Sequence, residues 1–333
     1  MKFDRTMPGR GVDVTCRLEN AKVYLEWKFY FTQEGTGMVR VRVTDRNGNV
    51  AMECLKSLQE EEPLEGILLQ PHLWKGSKDP YMYVMEAILT DGKGNCLDRL
   101  HRQLPLRELR RGTSCSNGEL LLNGEQFLPK VVKYTLSEGP SEAGQQRRML
   151  EDMQYLVQLG ANCVLVKERE PARLLLQFCE LCDRWGILVF VMEGEAPEGY
   201  WAQDQDRKLW LRCDEVVPEY GGGEGGLFLP ESQCPSSLYY KYKAKWSDAP
   251  FVYLAPDSVK KLPSGNYKVN CYSNCERVAL YTDGNLFEFQ KGQGEFVFQE
   301  IPAKSPSVML TAEGEGCNMS ISMHKLLTGN FFH

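Results

Sequence analysis

The sequence predicts a multidomain chain of β and α/β parts, and three observations carry that reading. Short alternating runs separated by turn residues fill positions 1–110. A strand–helix–strand–helix–strand rhythm occupies residues 120–195, and alternating runs return after position 233. The first and last patterns predict immunoglobulin-like β-sandwiches over 1–110 and 233–333. The middle pattern predicts an α/β domain over 111–232 with a parallel sheet.

Each element has a local cause. In the first region VDVTCRL, KVYLEWKFYF and MVRVRVTD are followed by strands near 81–90 and 96–104. From Met38 to Asp45, Val39, Val41 and Val43 alternate with Arg40 and Arg42, as a half-buried strand requires. Asn47-Gly48 and Asp91-Gly92 are read as tight turns. Trp74, Tyr81 and Tyr83, beside prolines, admit a sugar-stacking platform, but a folded-over corner plugging the sandwich is the better reading.

In the α/β region Asn123-Gly124 marks a hairpin turn before a strand expected near 127–134. A helix over 141–159 places Met149, Met153 and Leu156 on one face, and Gly160 stands at the left-handed C-cap position. A second helix opens on Pro171, buries Leu174, Phe178, Leu181 and Trp185, and stops at Gly186. The continuous apolar run 187–192 is the mark of a strand covered on both faces. After Glu195 the pattern breaks: a polar helix-like stretch precedes a further strand around Trp210. The run of five glycines among residues 221–226 lacks the Lys-Ser/Thr of a phosphate cradle and reads as a loop. YYKYKAKWS, aromatic at alternating positions, is read as the return to β structure, with Asp283-Gly284 turning a later hairpin.

Composition narrows the function classes. The 333 residues are 42% hydrophobic and 25% charged, the balance of a folded globular chain. A net charge of −6 argues against a nucleic-acid footprint. No run approaches the ~18 apolar residues of a membrane span, and the first residues carry no apolar leader core, so a cytoplasmic protein is expected. The twelve cysteines are then read as reduced thiols. Cys179-x-x-Cys182 lies within a helical pattern and has no second ligand pair at metal spacing, so it reads as core packing, and no cofactor is expected.

With these residues in place, the chain resembles glycoside hydrolase family 2, the β-galactosidase and β-glucuronidase group. PHLWKGSKDPYMYVMEAILTD is similar to the end of that family's immunoglobulin-like domain. LLLNGEQFLPK, LGANCVLV and CELCDRWGILVFVMEGE resemble the opening strands of its TIM barrel. CPSSLYYKYKAKWSDAPFVYL and VNCYSNCERVALYTDGNLF resemble the passage into a following sandwich. The resemblance implies a sugar-binding domain before the sandwich, whereas this sequence opens on the sandwich itself.

It also implies a complete barrel, which takes about 250 residues. Only about 120 lie between Arg111 and Ser232, enough for a partial (β/α) TIM-barrel remnant of about four strands. The strands expected to carry both catalytic glutamates are the ones missing. Where the family has Gly-Val-Asn after its first strand, this chain has Val131-Val132-Lys133. Where it has an Arg-x-x-His pair after the second, this chain has Leu165 and Glu168.

A retaining glycosidase needs two carboxyl groups about 5–5.5 Å apart, one of them with a raised pKa. Glu193, Asp214 and Glu219 are the replacement candidates for catalysis, with Glu215 nearby. Trp210, Trp201 and Glu195 are the candidates for sugar contact. Three readings follow: a catalytically inactive relative with a carbohydrate-binding or scaffold role, an active O-glycosyl hydrolase with a rebuilt carboxylate pair, and one half of a split glycosidase. A half-barrel has open sheet edges, so self-association or a partner chain through residues 120–220 is expected.

Overall fold

A computed structural model describes residues 1–5, 11–111, 120–136, 141–167, 172–192, 200–204, 210–213, 216–217, 226–228, 235–302 and 307–328. The strands in chain order begin with β1 (Val12–Glu19), β2 (Lys22–Phe29), β3 (Met38–Thr44), β4 (Val50–Ser57), β5 (Leu64–Leu69), β6 (Tyr83–Thr90) and β7 (Cys96–Leu104). Then come β8 (Leu109–Arg111), β9 (Leu120–Leu122), β10 (Glu125–Phe127), β11 (Val131–Lys133), helix α1 (Glu142–Leu159), β12 (Cys163–Lys167), helix α2 (Ala172–Trp185) and β13 (Leu188–Met192). β14 (Tyr200–Asp204), β15 (Trp210–Cys213), β16 (Val216–Val217) and helix α3 (Ser237–Trp246) follow. The chain continues through β17 (Val252–Lys261), β18 (Tyr267–Ser273), β19 (Arg277–Thr282), β20 (Asn285–Lys291), β21 (Gly294–Ile301), β22 (Met309–Gly314), β23 (Cys317–Ser322) and helix α4 (Met323–Thr328). Two compact units divide these elements, one of residues 1–129 and 162–214, the other of 130–161 and 215–333.

The first unit opens with the expected sandwich. Sheets ordered β1-β2-β5 and β4-β3-β6-β7 are antiparallel throughout. Val39, Val41 and Val43 are fully buried, facing a core that includes Trp27, Leu25, Met85 and Leu89. Each such side chain contributes about 1.5–3 kcal/mol through removal of apolar surface from water. Trp27 keeps a polar contact inside this core, its Nε1 donating to Met85 Sδ at 3.1 Å. Arg40 and Arg42, on the other face, both reach Glu53 across the ladder.

The turns differ in detail from the two-residue form. In the β3–β4 loop only Gly48 of the Asn47-Gly48 pair has positive φ, and Asp45 braces a longer loop by accepting from Asn47 N, Asn49 N and Asn49 Nδ2. The β6–β7 loop repeats this with Asp91, Lys93 N and Asn95, and its left-handed residue is Gly94, two positions beyond the dipeptide that signalled the turn. Asn123-Gly124 and Asp283-Gly284 do place both residues at positive φ, the backbone a type I′ hairpin demands.

The first unit also holds a three-stranded antiparallel sheet, β10-β9-β8, and the strands of a mixed sheet. β12 and β13 run parallel, with Leu165 opposite Phe190, and α2 is the crossover between them. Cys163–Val166 and Leu188–Phe190 are buried at consecutive positions, so these stretches are covered on both faces, as their apolar runs require. The segment after Glu195 corrects the sequence reading: β14 is a strand, antiparallel to β13, and β15 is antiparallel to β14. A hairpin therefore follows the parallel pair, in the place of the polar helix-like stretch.

In the second unit β11 pairs in parallel with β16. The strand expected over 127–134 is two pieces, because β10 belongs to the Asn123-Gly124 hairpin and Pro129 precedes β11. Helix α1 ends as predicted, with Gly160 at φ 85°; Ser141, expected as its first residue, is its N-cap, Oγ accepting from Gly144 N. YYKYKAKWS is a second correction: it is helix α3, because Ser236 caps it by accepting from Tyr239 N. Sheets β17-β18-β21 and β20-β19-β22-β23 then form the C-terminal sandwich around Leu254, Val278, Leu280, Phe298 and Leu310.

Candidate functional site

Among the residues singled out for sugar chemistry, Glu193, Glu195, Asp214, Glu215 and Glu219 lie outside the described residues, as do Glu168 and the glycines at 221–225. Glu193 directly follows Met192, the last residue of β13. Trp201 and Trp210 are held by backbone register. Trp201 pairs with Arg212 and Gln203 with Trp210 across the β14–β15 ladder. Sequence reasoning named both residues without seeing that a hairpin brings them together.

Of the positions where the family resemblance implies polar groups, the one matched to Arg is Leu165 and is packed as core, and the one matched to Asn is the half-buried Lys133. Glu168 lies outside the described residues, and Val131 and Val132 stand where the family has a glycine and a valine. Val131 and Leu165 are each 1% exposed, and Val132 is fully buried. Leu165 sits on β12 between Val164 and Val166, also buried, opposite Phe190. An aliphatic side chain there neither donates to a sugar hydroxyl nor orients a carboxylate.

The corner at residues 71–83 is a plug. Trp74 has no exposed surface, and its Nε1 donates to the Asp183 carbonyl at 2.7 Å, at the end of α2. The Arg107 guanidinium lies 4.4 Å from the centre of the Trp74 rings and donates to Asp183 Oδ1 at 2.6 Å. Asn123 Nδ2 donates to the Trp74 carbonyl. Gly186 completes the joint: at φ 77° it brings its backbone against Gly76 and Ser77, where an added Cβ would fall 2.2 Å from Ser77 N. This arrangement fixes the first sandwich to α2 and leaves the Asp183 carboxylate engaged by a cation.

Tyr83 is also buried, and its hydroxyl accepts from His72 N at 3.0 Å. Tyr81 offers no free ring for a sugar, because His72 stacks on it at 4.0 Å and Arg46 lies over it at 4.4 Å. His72 Nε2 in turn meets Asp79 Oδ2 at 2.5 Å on the surface. The corner reading is therefore the one the structure bears out for all three aromatics.

Cys179 and Cys182 are buried, reduced thiols on α2, and burial pushes the Cys182 thiol well above the usual cysteine range. Among the described residues, no three His, Cys, Asp or Glu side chains are placed to hold a metal ion. The aromatics of α3 pack within the second unit: Tyr239 Oη donates to the Tyr155 carbonyl at 2.9 Å, and Tyr240 stacks on Tyr253 at 3.4 Å. Burial raises Tyr239 far beyond the ordinary phenol value and lowers the Lys243 ammonium. An open groove of about 510 Å³ on the C-terminal sandwich is lined by Glu276, Arg277, Lys291, Gly292 and Gln293 and holds no carboxylate pair. No helix among the described residues is long and apolar enough to cross a membrane.

Two sandwiches joined by a short α/β segment, with the first sandwich locked to a crossover helix, define the class: the fold of the multidomain β-glycosidases. A solved β-glycosidase from Bacteroides vulgatus shares it, with a TM-score of 0.70 at 15% identity over 94% of this chain and 64% of that one. A β-galactosidase of Alteromonas mediterranea is 29% identical over 123 residues, covering 36% of this chain and 11% of that protein. A β-glucuronidase of Bacteroides fragilis is 27% identical over 177 residues, covering 50% of this chain and 24% of that protein. No family model matches the chain. The chain is thus similar to glycoside hydrolase family 2 proteins of the β-galactosidase and β-glucuronidase group, and the structural likeness covers most of its length. It spans less than two thirds of the length of each of these relatives.

Proposed function

We propose that this protein is a family 2-like chain without glycosidase turnover, which binds carbohydrate or serves as a scaffold through a shortened barrel segment. The observation that carries the reading is the burial of apolar side chains at two replaced positions, Leu165 where the resemblance implies a sugar-holding arginine and Val131 where it implies a glycine. Val131 and Leu165 are each 1% exposed, and a buried leucine supplies neither charge nor hydrogen bond to a glycosidic transition state. The short interval between Arg111 and Ser232 supports it as well, since about 120 residues fall well below the ~250 of a complete eight-stranded barrel. In this reading the organisation is three-part, with sandwiches over 1–110 and 233–333 and a truncated barrel-like domain over 111–232.

Trp201 and Trp210 are the proposed sugar contacts, since the pairing of β14 with β15 sets their backbones two residues apart in register on neighbouring strands. β15 ends its sheet, so its outer edge is the proposed place for self-association or a partner chain. Light scattering of the purified chain tests this: a dimer that dissociates when Leu211 or Arg212 is replaced by proline supports it, and a strict monomer refutes it.

The catalytic half is tested with aryl β-galactoside, β-glucuronide and β-mannoside substrates. No turnover above that of a denatured control is expected. Hydrolysis abolished by Glu193→Gln, Asp214→Asn or Glu219→Gln would overturn the proposal and establish a rebuilt carboxylate pair.

A further inference from the structure

We propose that Cys275 and Cys317 are a disulfide-forming pair that staples the C-terminal sandwich under oxidising conditions. Their sulfurs lie 3.6 Å apart with no bond between them, while the two residues stand 42 positions apart in sequence. Closing a disulfide needs an S–S length near 2.05 Å, so an approach of about 1.5 Å brings them together.

The surroundings favour that approach. Cys275 lies in the β18–β19 connection, which crosses from one sheet to the other, and is 2% exposed. Its amide donates to Ser273 Oγ at 3.0 Å, which fixes the backbone. Cys317 opens β23, the end strand of the second sheet, and is half-buried. Gly314 lies directly opposite Cys317 in the β22–β23 ladder. A Cβ at Gly314 would stand 2.7 Å from Cys275 Sγ, so the missing side chain is the slot the Cys275 sulfur occupies. Cys271, buried on β18, is a third thiol nearby and serves as an internal competitor.

Hydrogen peroxide is the oxidant the proposal names. The Cys317 thiolate attacks one peroxide oxygen, an S–O bond forms, the O–O bond breaks and water leaves after protonation. Cys275 Sγ then attacks the Cys317 sulfur, the S–S bond forms, and the hydroxyl departs as a second water. Two thiols are oxidised and one peroxide is reduced, and a dithiol reductant reverses the product. Burial, followed by the neighbouring Cys275, pushes the Cys317 thiol up to about 11. Only the thiolate reacts, so the oxidation rate rises about tenfold per pH unit below that value.

The experiment treats the intact chain with hydrogen peroxide, blocks remaining thiols with N-ethylmaleimide under denaturing conditions, and maps peptides by mass spectrometry. The expected product is a Cys275–Cys317 cross-link, removed by dithiothreitol, formed faster at pH 9 than at pH 7. It should raise the melting midpoint of the C-terminal sandwich by at least ~5 °C. Cys317→Ser, nearly the same size, should fold alike and leave Cys275 as a free thiol. A Cys275 that stays alkylatable when the exposed Cys96 is fully oxidised would overturn the proposal. So would a cross-link between Cys275 and Cys271 in the wild-type chain.

Discussion

Replacing Arg107 with methionine probes the joint between the first sandwich and helix α2. The Arg107 and Asp183 side chains are 9% and 10% exposed and meet at 2.6 Å, while the guanidinium also covers Trp74. Methionine retains most of the apolar contact with Trp74 but leaves the Asp183 carboxylate buried without its cation. Removing one member of such a pair costs about 3–5 kcal/mol, because the remaining charge is desolvated and uncompensated. At least ~3 kcal/mol is expected, which lowers the melting midpoint of a unit of this size by about 6–12 °C. Asp183→Asn is gentler, since the amide oxygen still accepts from Arg107 and the backbone bond from Trp74 Nε1 to the Asp183 carbonyl is untouched. Arg107→Met/Asp183→Asn restores neutrality, so its destabilisation should fall short of the sum of the single changes by about 2 kcal/mol. Urea titrations of the four proteins, followed by Trp fluorescence, give the cycle. A loss below ~1 kcal/mol for Arg107→Met, or additive changes in the cycle, would refute the claim that this pair locks the joint.

Three further expectations rest on single positions. Gly186→Ala sets a Cβ 2.2 Å from Ser77 N at φ 77°, so a loss of at least ~2 kcal/mol by thermal denaturation is expected, while the same change at the open Gly265 costs only the ~1 kcal/mol of left-handed backbone. Ser236→Ala removes the α3 cap and should cost about 1 kcal/mol, most of it recovered by Ser236→Asn. Burial pushes the Asp98 carboxyl up, but hydrogen bonds from Arg5, Phe3 N and Arg99 N outweigh it and hold the group below its usual value. A depressed folded-state pKa gives stability that is full above the ordinary aspartate value and lost as pH falls through the folded one. Denaturation midpoints between pH ~6 and ~2 should therefore fall less steeply in Asp98→Asn than in the wild type.

Much of the fold is legible in local chemistry. Val39, Val41 and Val43 announce a half-buried strand by period alone, and the Ser141 and Gly160 caps bracket α1 because each satisfies backbone groups that a helix end leaves free. The failures share a cause. YYKYKAKWS alternates like a strand, yet Ser236 supplies a cap and Tyr239, Tyr240 and Lys243 each find partners at helical spacing. β14 is only five residues long and ends in Gln203 and Asp204, and pairing with β13 and β15 makes it a strand.

The sequence reached the candidate residues only one at a time. Trp201 and Trp210 were named as sugar-contact candidates, Trp210 on the family resemblance, and their pairing across one ladder needs the register. The Trp74–Arg107–Asp183 joint was invisible because its members lie 33 and 76 positions apart and no periodic signal connects them. The Pro71-His72-Leu73-Trp74 corner was the one hint, read as a plug from its prolines and confirmed as such by burial.

Saturation-transfer NMR on the chain with an aryl β-galactoside or β-glucuronide in excess reads binding and cleavage in one tube. The account predicts transfer to sugar ring protons that disappears in Trp201→Ala/Trp210→Ala, beside a substrate spectrum unchanged over a day. Free sugar and phenol signals that grow with time, and vanish when Glu193 or Glu219 becomes glutamine, would contradict it.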